Sequence, residues 1–567
     1  MRHCLLCAVL AGSLVFAASS LAQTPRAAEQ APASKSTPRS SASAVTTVDQ
    51  AIDRIVARER DEIATIWRFT PEIEIYVQDM KKGADTEAMP AADHYFLGSA
   101  NLAKGAVDHA FLSSDKEREK HGGVKFGSYD ADTFANMVYA DPNDFDRQHY
   151  EFEYVRREML GEVRCVVFDV TPLPDTGEDR FVGRIWAEDQ NFTIVRFNGV
   201  HSSKGATKGR EVHFDSWRLN LEGSTWLPAY IYTEQSGGKE RGLVFKAQTR
   251  FWGYAAKGVR GEEESQAASA SSTPNRQDDT ANRTIDELLG MGLVAPRGEL
   301  DHIMEIVVNN LEVTNNLDIQ PEIRCRTLLT STLESFSIGH TIVLSRGLLD
   351  ALPDEASLAA ILAQEMATIL APAAAKTTKA DRKRNDETGL AALSESGHFT
   401  FKYSDNEIQA ANQKALELMR NSPYKNKLDG PGLFLEQVGQ DHKVLTALIS
   451  PRVGDRANLG GELAGASASQ RAANSGHFVA VRMGARVKLD PWSNQVTLLK
   501  AKPVAAESAR EYDPFELFPF FPFLTREQPA GSVATAQDAT GAGRKPATKP
   551  NGTEGSTPAD APPTPPQ

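Results

Sequence analysis

Glu355-Ala356-Ser357-Leu358-Ala359-Ala360-Ile361-Leu362-Ala363-Gln364-Glu365-Met366-Ala367-Thr368-Ile369-Leu370 is the stretch on which the reading of this chain turns. Its apolar periodicity and Ala-rich composition predict a helix over 355–370. Two histidines four residues apart on one helical face can bind zinc through imidazole nitrogens, with a Glu beside the first as general base. Here that frame is present without its histidines. Gln364 and Thr368 stand in the ligand places, and Glu365 stands in the base place. Taken alone, an Ala-Gln-Glu-Met-Ala-Thr string on an Ala-rich helix is an ordinary structural feature, so the flanks decide.

Upstream lies Glu334-Ser335-Phe336-Ser337-Ile338-Gly339-His340-Thr341-Ile342-Val343-Leu344-Ser345-Arg346-Gly347-Leu348-Leu349, and downstream lies Asn406-Glu407-Ile408-Gln409-Ala410-Ala411. In this order the three segments resemble metallopeptidase family 48, the CAAX prenyl endopeptidases and HtpX-like peptidases, over about Glu299 to Gln440. The resemblance implies a mainly α, gluzincin-like domain. The upstream segment is similar to the family's edge strand and following helix start. Glu407 matches the Glu that serves the family as third zinc ligand. The match departs at Glu334-Ser335, where the family has Asn-Ala, and at Ala411, where it has Asp. What carries over is therefore Glu365 as a vestigial general base and Glu407 as a vestigial third metal ligand, with Gln364 and Thr368 at the lost histidine positions. Zinc wants imidazole, thiolate or carboxylate donors, and a neutral amide or hydroxyl is a poor substitute. Structural zinc binding is worth on the order of 10 kcal/mol, so losing two of three ligands leaves no metal expected. Zinc returns only if an unforeseen histidine such as His340 or His398 reaches the site; both read as ordinary histidines. If Glu365 and Glu407 face each other without a metal, one of the two carboxyls should be raised.

Outward from the helix, apolar spacing predicts further helices at Leu300–Leu311 and Asn406–Met419, giving a helical domain over 284–449. Before it, a Gly, Glu, Ser, Ala and Gln stretch over 256–283 reads as a linker. The preceding domain, 45–255, opens with an amphipathic helix from Thr46 to Trp67. Short alternating strands follow at Ile73–Val77, Tyr150–Val155, Cys165–Val170, Phe181–Trp186, Thr193–Phe197, Val212–Leu219, Ala229–Thr233 and Leu243–Phe251. A single antiparallel meander is the economical arrangement, and the fold class is α+β: helix plus antiparallel sheet, then the mainly α domain. The run Phe181-Val182-Gly183-Arg184-Ile185-Trp186-Ala187-Glu188-Asp189 with Phe192–Phe197 is similar to strand pairs of the periplasmic lipoprotein-carrier (LolA/LolB-like) half-barrels. That resemblance implies an apolar ligand, with Trp186, Trp217, Trp226, Phe245, Phe251 and Trp252 as cavity lining. Core packing is the plainer reading of the same six.

The ends complete the organisation. Met1-Arg2-His3, an apolar run to Ala18 and Ser19-Ser20-Leu21-Ala22 read as a signal peptide over 1–22, with a Ser, Ala and Pro spacer over 23–44. The expected location is periplasmic or secreted, with no stable membrane span. Within 450–526 a hairpin is expected from Arg486–Leu489 and Gln495–Lys500 through Asp490-Pro491-Trp492-Ser493-Asn494. It is followed by the aromatic run Phe515-Glu516-Leu517-Phe518-Pro519-Phe520-Phe521-Pro522-Phe523-Leu524, whose prolines favour extended docking on the chain's own body or a partner. Residues 527–567 have the composition of a disordered tail. Cys165 and Cys325 remain after signal removal and could pair in an oxidising compartment. The basic run from Lys376 to Arg384 reads as a solvated loop. A net charge of -13 excludes a general nucleic-acid binder. These readings together favour an inactive pseudopeptidase that binds polypeptide or an envelope protein partner. The alternatives are an active zinc metalloendopeptidase with atypical ligands and a carrier of lipid or lipoprotein.

Overall fold

The computed structural model describes residues 47–82, 88–113, 125–126, 128–202, 212–222, 225–237, 243–255, 276–371, 405–464, 487–498 and 524. The expected signal peptide, spacer, basic run, His398 and tail lie outside the described residues, as does the aromatic run apart from Leu524.

Helix α1 (Val48–Ile66) starts where the Thr47 hydroxyl accepts the Gln50 N–H at 3.2 Å. Its inner face buries Ile52, Ile55, Ile63 and Ile66 together with two carboxylates, Glu59 and Glu62. The sheet it covers supplies their partners. Both Glu59 oxygens accept from Arg218 at 2.7 Å, and Glu62 accepts the Trp226 N–H at 2.7 Å. Burial raises the Glu62 carboxyl above its ordinary value, against the lowering pull of that N–H and of Arg218.

The sheet's strands are β1 (Glu72–Lys82), β2 (Ala88–Asn101), β3 (Ala106–Ser113), β6 (Tyr150–Leu160), β7 (Val163–Pro172), β8 (Arg180–Glu188), β9 (Ile194–Ser202), β10 (Val212–Glu222), β11 (Thr225–Ser236) and β12 (Leu243–Trp252), and β4 (Lys125–Phe126) pairs separately with β5 (Tyr129–Asp130). A short helix α2 (Ala131–Asn136) follows β5. The ten strands run in the order β3-β2-β1-β12-β11-β10-β9-β8-β7-β6. The single meander expected from the sequence is therefore two meanders, β1 to β3 and β6 to β12, joined where β1 lies antiparallel to β12.

The second half contains α3 (Arg276–Gly290), α4 (Glu299–Thr314), β13 (Arg324–Leu328), β14 (Ser335–Ile338), β15 (Thr341–Ser345), α5 (Arg346–Ala351), α6 (Glu355–Leu370), α7 (Asp405–Arg420), α8 (Asp429–Asp441) and α9 (Pro451–Gly454). Helix α3 begins inside the stretch read as linker and carries Ile285 and Leu288 into the core. The small sheet has β15 between β13, parallel to it, and β14, antiparallel to it. At the start of α5 the chain turns so tightly that a Cβ on Gly347 would lie 2.0 Å from the Ser331 carbonyl oxygen.

The two halves meet on the sheet face opposite α1. Ile73 and Ile75 point towards the α1 side, so Glu74 and Tyr76 point away from it, next to Tyr95. Glu74 accepts from the Tyr95 hydroxyl at 2.8 Å and from the Ser331 N–H at 2.6 Å. Asp93 accepts the N–H groups of Ala447 and Leu448 at 2.9 and 2.8 Å. The last strand pair, β16 (Val487–Leu489) and β17 (Val496–Leu498), turns through the expected 490–494 and ties both halves. Pro491 and Trp492 carbonyls accept from Tyr254 and Ala255, and Asn494 and Trp252 both donate to the Gly292 carbonyl. One apolar core joins Tyr76, Tyr95, Leu97 and Trp252 of the sheet to α4, α6 and their neighbours.

Candidate functional site

Helix α6 is the centre of the second half. Asp354 caps it, accepting the Ser357 N–H at 2.8 Å, and its residues are buried from Ala356 to Ala367. Gln364, Glu365 and Thr368 all lie on it, as the spacing requires, but their side chains have partners of an unforeseen kind.

Glu365 is 0% exposed and its carboxylate is fully engaged. The Ser335 hydroxyl of β14 donates to Oε1 at 2.7 Å. Arg452 donates through Nε at 3.0 Å to Oε1 and through Nη2 at 2.6 Å to Oε2. Arg456 Nη2 also bonds Oε1, and reaches Ser335 Oγ at 2.6 Å. Burial by itself would push this carboxyl up, yet the two guanidiniums outweigh it and hold it down to about 2. A raised value was the expectation for facing carboxylates, and the pairing is different. Glu365 faces arginines, and Glu407 lies exposed in the first turn of α7.

Thr368 donates to the Gln364 carbonyl of its own helix at 3.0 Å and accepts from Arg452 Nη2 at 3.0 Å. Arg452 therefore bridges the base place and the second ligand place. Gln364 turns to α7 and donates to the Asn412 side-chain oxygen, while its own amide oxygen is buried without a hydrogen-bond partner. Ala411, in the place of the family's Asp, is buried beside Asn412.

The arginines arrive through a long-range contact. Leu333, just before β14, bridges to Ile449 in parallel, with the Leu333 N–H donating to Leu448 at 2.7 Å and the Ser450 N–H to Leu333 at 3.1 Å. This lays α9 across the end of β14 and brings Arg452 and Arg456, one helical turn apart, onto Glu365. Sequence reading closed the helical domain at Ile449 and so missed both. The signal available was the i, i+4 spacing of Arg452 and Arg456, which sets two guanidiniums on one side of a helical turn.

These contacts leave a donor set that does not fit zinc. One ligand place is an amide bonded to Asn412, the other is a hydroxyl bonded to a guanidinium, and the neighbouring carboxylate is already neutralised. Among the described residues no three His, Cys, Asp or Glu side chains converge as a metal site. His340 lies in the turn between β14 and β15.

In the first half, the six aromatic residues proposed to line a cavity are all buried and divide between cores. Trp252 belongs to the core shared with the second half. Trp186, Trp217 and Trp226 belong to a separate cluster with Leu160, Val163 and Cys165. Cys165 and Cys325 are both buried and are not joined in a disulfide. Among the described residues no helix is long and apolar enough to cross a membrane.

No protein-family model matches the chain. No curated protein matches it either. Among solved structures, a DUF1329 family protein from Desulfovibrio piger ATCC 29098 is 14% identical, with 36% of this chain and 90% of that chain covered and a TM-score of 0.21. MucB is 9% identical, with 36% of this chain and 92% of that chain covered and a TM-score of 0.14. Likenesses at this level carry no argument about mechanism.

Proposed function

We propose that this chain is an exported pseudopeptidase: a periplasmic or secreted protein with a degenerate gluzincin-like second half, related to metallopeptidase family 48, that binds a polypeptide or an envelope protein without cutting it. One observation carries the reading. The carboxylate in the general-base place is held by two arginines. A general base needs a free lone pair and a pKa near the working pH. Glu365 lacks such a pKa, because guanidiniums that stay protonated under all ordinary conditions hold both of its oxygens and keep it ionised. In an active peptidase the cation at this place carries an open coordination position and an activated water. Arg452 supplies a charge and no such position. Helix α7, which would be tied to α6 through a shared metal, is tied instead through the Gln364–Asn412 amide contact.

A second reading, a carrier of lipid or lipoprotein, is favoured by the antiparallel sheet with a long helix against one face. Its ligand would have to displace α1, whose inner face is fixed by the Arg218–Glu59 pair.

The test is metal content per chain in the purified protein, in the Gln364→His/Thr368→His double variant, and in the same double variant with Arg452→Ala. The first two are expected free of zinc, and the third is expected to take up one ion. One tightly held zinc in the parent chain would refute the pseudopeptidase reading. Lipid extracted in stoichiometric amount from the parent would favour the carrier.

A further inference from the structure

Among the described residues, the second half covers the sheet face opposite α1 over part of its width, and the other part carries an aromatic floor. Trp186, Arg196 and Trp217 form one register row across β8, β9 and β10. Phe197, next to Arg196, faces the α1 side, where the Arg218 guanidinium lies over its ring at 5.5 Å. The row therefore lies on the opposite face. The Arg196 guanidinium sits between the two indoles, 4.2 and 4.4 Å from their centroids, and Asp215 fixes it through two bonds of 2.8 and 2.7 Å. Trp186 is 5% exposed and Trp217 4%. Among the described residues, the cluster they belong to is built from strands β6 to β11 with one member from elsewhere in the chain, Leu524. Leu524 is 0% exposed, and its carbonyl accepts the Glu162 N–H of the β6–β7 turn at 2.8 Å.

One leucine cannot cover this floor. Strands β6 to β11 make five inter-strand steps, roughly 24 Å at about 4.8 Å each. The nine residues before Leu524, Phe515-Glu516-Leu517-Phe518-Pro519-Phe520-Phe521-Pro522-Phe523, lie outside the described residues. In polyproline II form nine residues span roughly 28 Å, at about 3.1 Å each. Pro519 and Pro522 are three apart, one turn of that helix, and such ridges dock on aromatic-lined surfaces. Downstream of Leu524 the sequence is Thr525-Arg526-Glu527-Gln528, too polar to serve.

We propose that the Trp186–Arg196–Trp217 face is a receptor for a proline-aromatic segment, occupied in this chain by its own residues 515–523, with Leu524 as the anchor. The segment is short, apolar and tethered, so it holds the face at a millimolar effective concentration. A free peptide of the same sequence is excluded from the intact chain at micromolar concentration.

The experiment uses the full chain, the Leu524→Asp full chain and a synthetic peptide of residues 513–526. The parent is expected not to bind the peptide. The variant is expected to show red-shifted tryptophan emission and to bind the peptide saturably, with emission restored; Trp217→Ala in the variant background should abolish that binding. The idea fails if the variant keeps parental emission and takes no peptide. It fails equally if the variant self-associates through this face and still takes no peptide, since the occupant would then be a second copy. In case the variant misfolds, a photo-crosslinker at position 520 of the otherwise parental chain should join peptides from β8 to β10, and crosslinks confined to other regions would overturn the assignment.

Discussion

Replacing Glu365 by Gln should destabilise this protein, whereas replacing a working general base chiefly abolishes activity. The side chain is 0% exposed and takes bonds from Ser335, Arg452 and Arg456, whose own exposures are 2% for Ser335 as a whole and 18% and 1% for the arginine side chains. The amide keeps the shape but removes the charge, leaving Arg456 buried against a neutral group. Breaking a buried ion pair by deleting one partner costs about 3 to 5 kcal/mol, against about 1 kcal/mol for an average substitution. The assay is urea unfolding of parent and variant at neutral pH, compared at equal slope. A companion chain, Glu365→Leu with Arg452→Leu and Arg456→Met, should recover most of the loss, because a well-packed apolar replacement avoids the desolvation of three charges. The sign with pH follows from the lowered carboxyl: the contribution is complete above the ordinary value of 4.5 and is lost as pH falls towards about 2. If Glu365→Gln is as stable as the parent or more so, the carboxylate is not an anchor and the reasoning is refuted.

Two further expectations concern the frame that positions this site. Gly347→Ala places a methyl 2.0 Å from the Ser331 carbonyl oxygen, a backbone atom with no room to yield, so a loss of about 2 kcal/mol or more is expected in the same unfolding assay, at the upper end of the overpacking range. Asp301, buried at the start of α4, is raised by that burial from 3.8 to about 6, despite the Thr327 hydroxyl and Arg326. The folded state therefore holds its proton longer than the unfolded one, and this contribution is greatest below about pH 4 and is lost as pH rises towards 6. Stability measured across that window should lose part of its downward slope in Asp301→Asn, and an unchanged slope would contradict the assignment.

Helix α6 was legible to the residue, 355–370, because local signals suffice: an Asp before it, Ala and Leu through it, and Pro372 after it. Eight strands were legible for the same reason, each with alternation over at least five residues. Strand β2 was not, since Pro90, Ala91, Ala92 and Gly98 break the alternation and the strand exists by pairing with β1. The neighbouring of β1 and β12 was also hidden: it joins residues nearly the whole first half apart, and no local pattern encodes it. The site divides along the same line. Gln364, Glu365 and Thr368 share a helix, so their common placement could be read. Their partners could not. Arg452 and Arg456 follow from a single parallel bridge between Leu333 and Ile449, and Asn412 from the packing of α7 on α6.

The presence of a fully buried glutamate at position 365 has a physical account in these contacts. A carboxylate enclosed by α6, β14 and α9 must have its lone pairs satisfied, whatever cation does it. A metal with one open position makes the carboxylate a partner to a reactive water. A planar guanidinium saturates it, with more donors than the carboxylate has oxygens and no vacancy for substrate. With Arg452 and Arg456 holding Glu365, the two neighbouring positions on α6 serve packing, Gln364 against Asn412 and Thr368 against Arg452. Loss of the Glu365 carboxylate would take from both arginines the buried charge that pairs them.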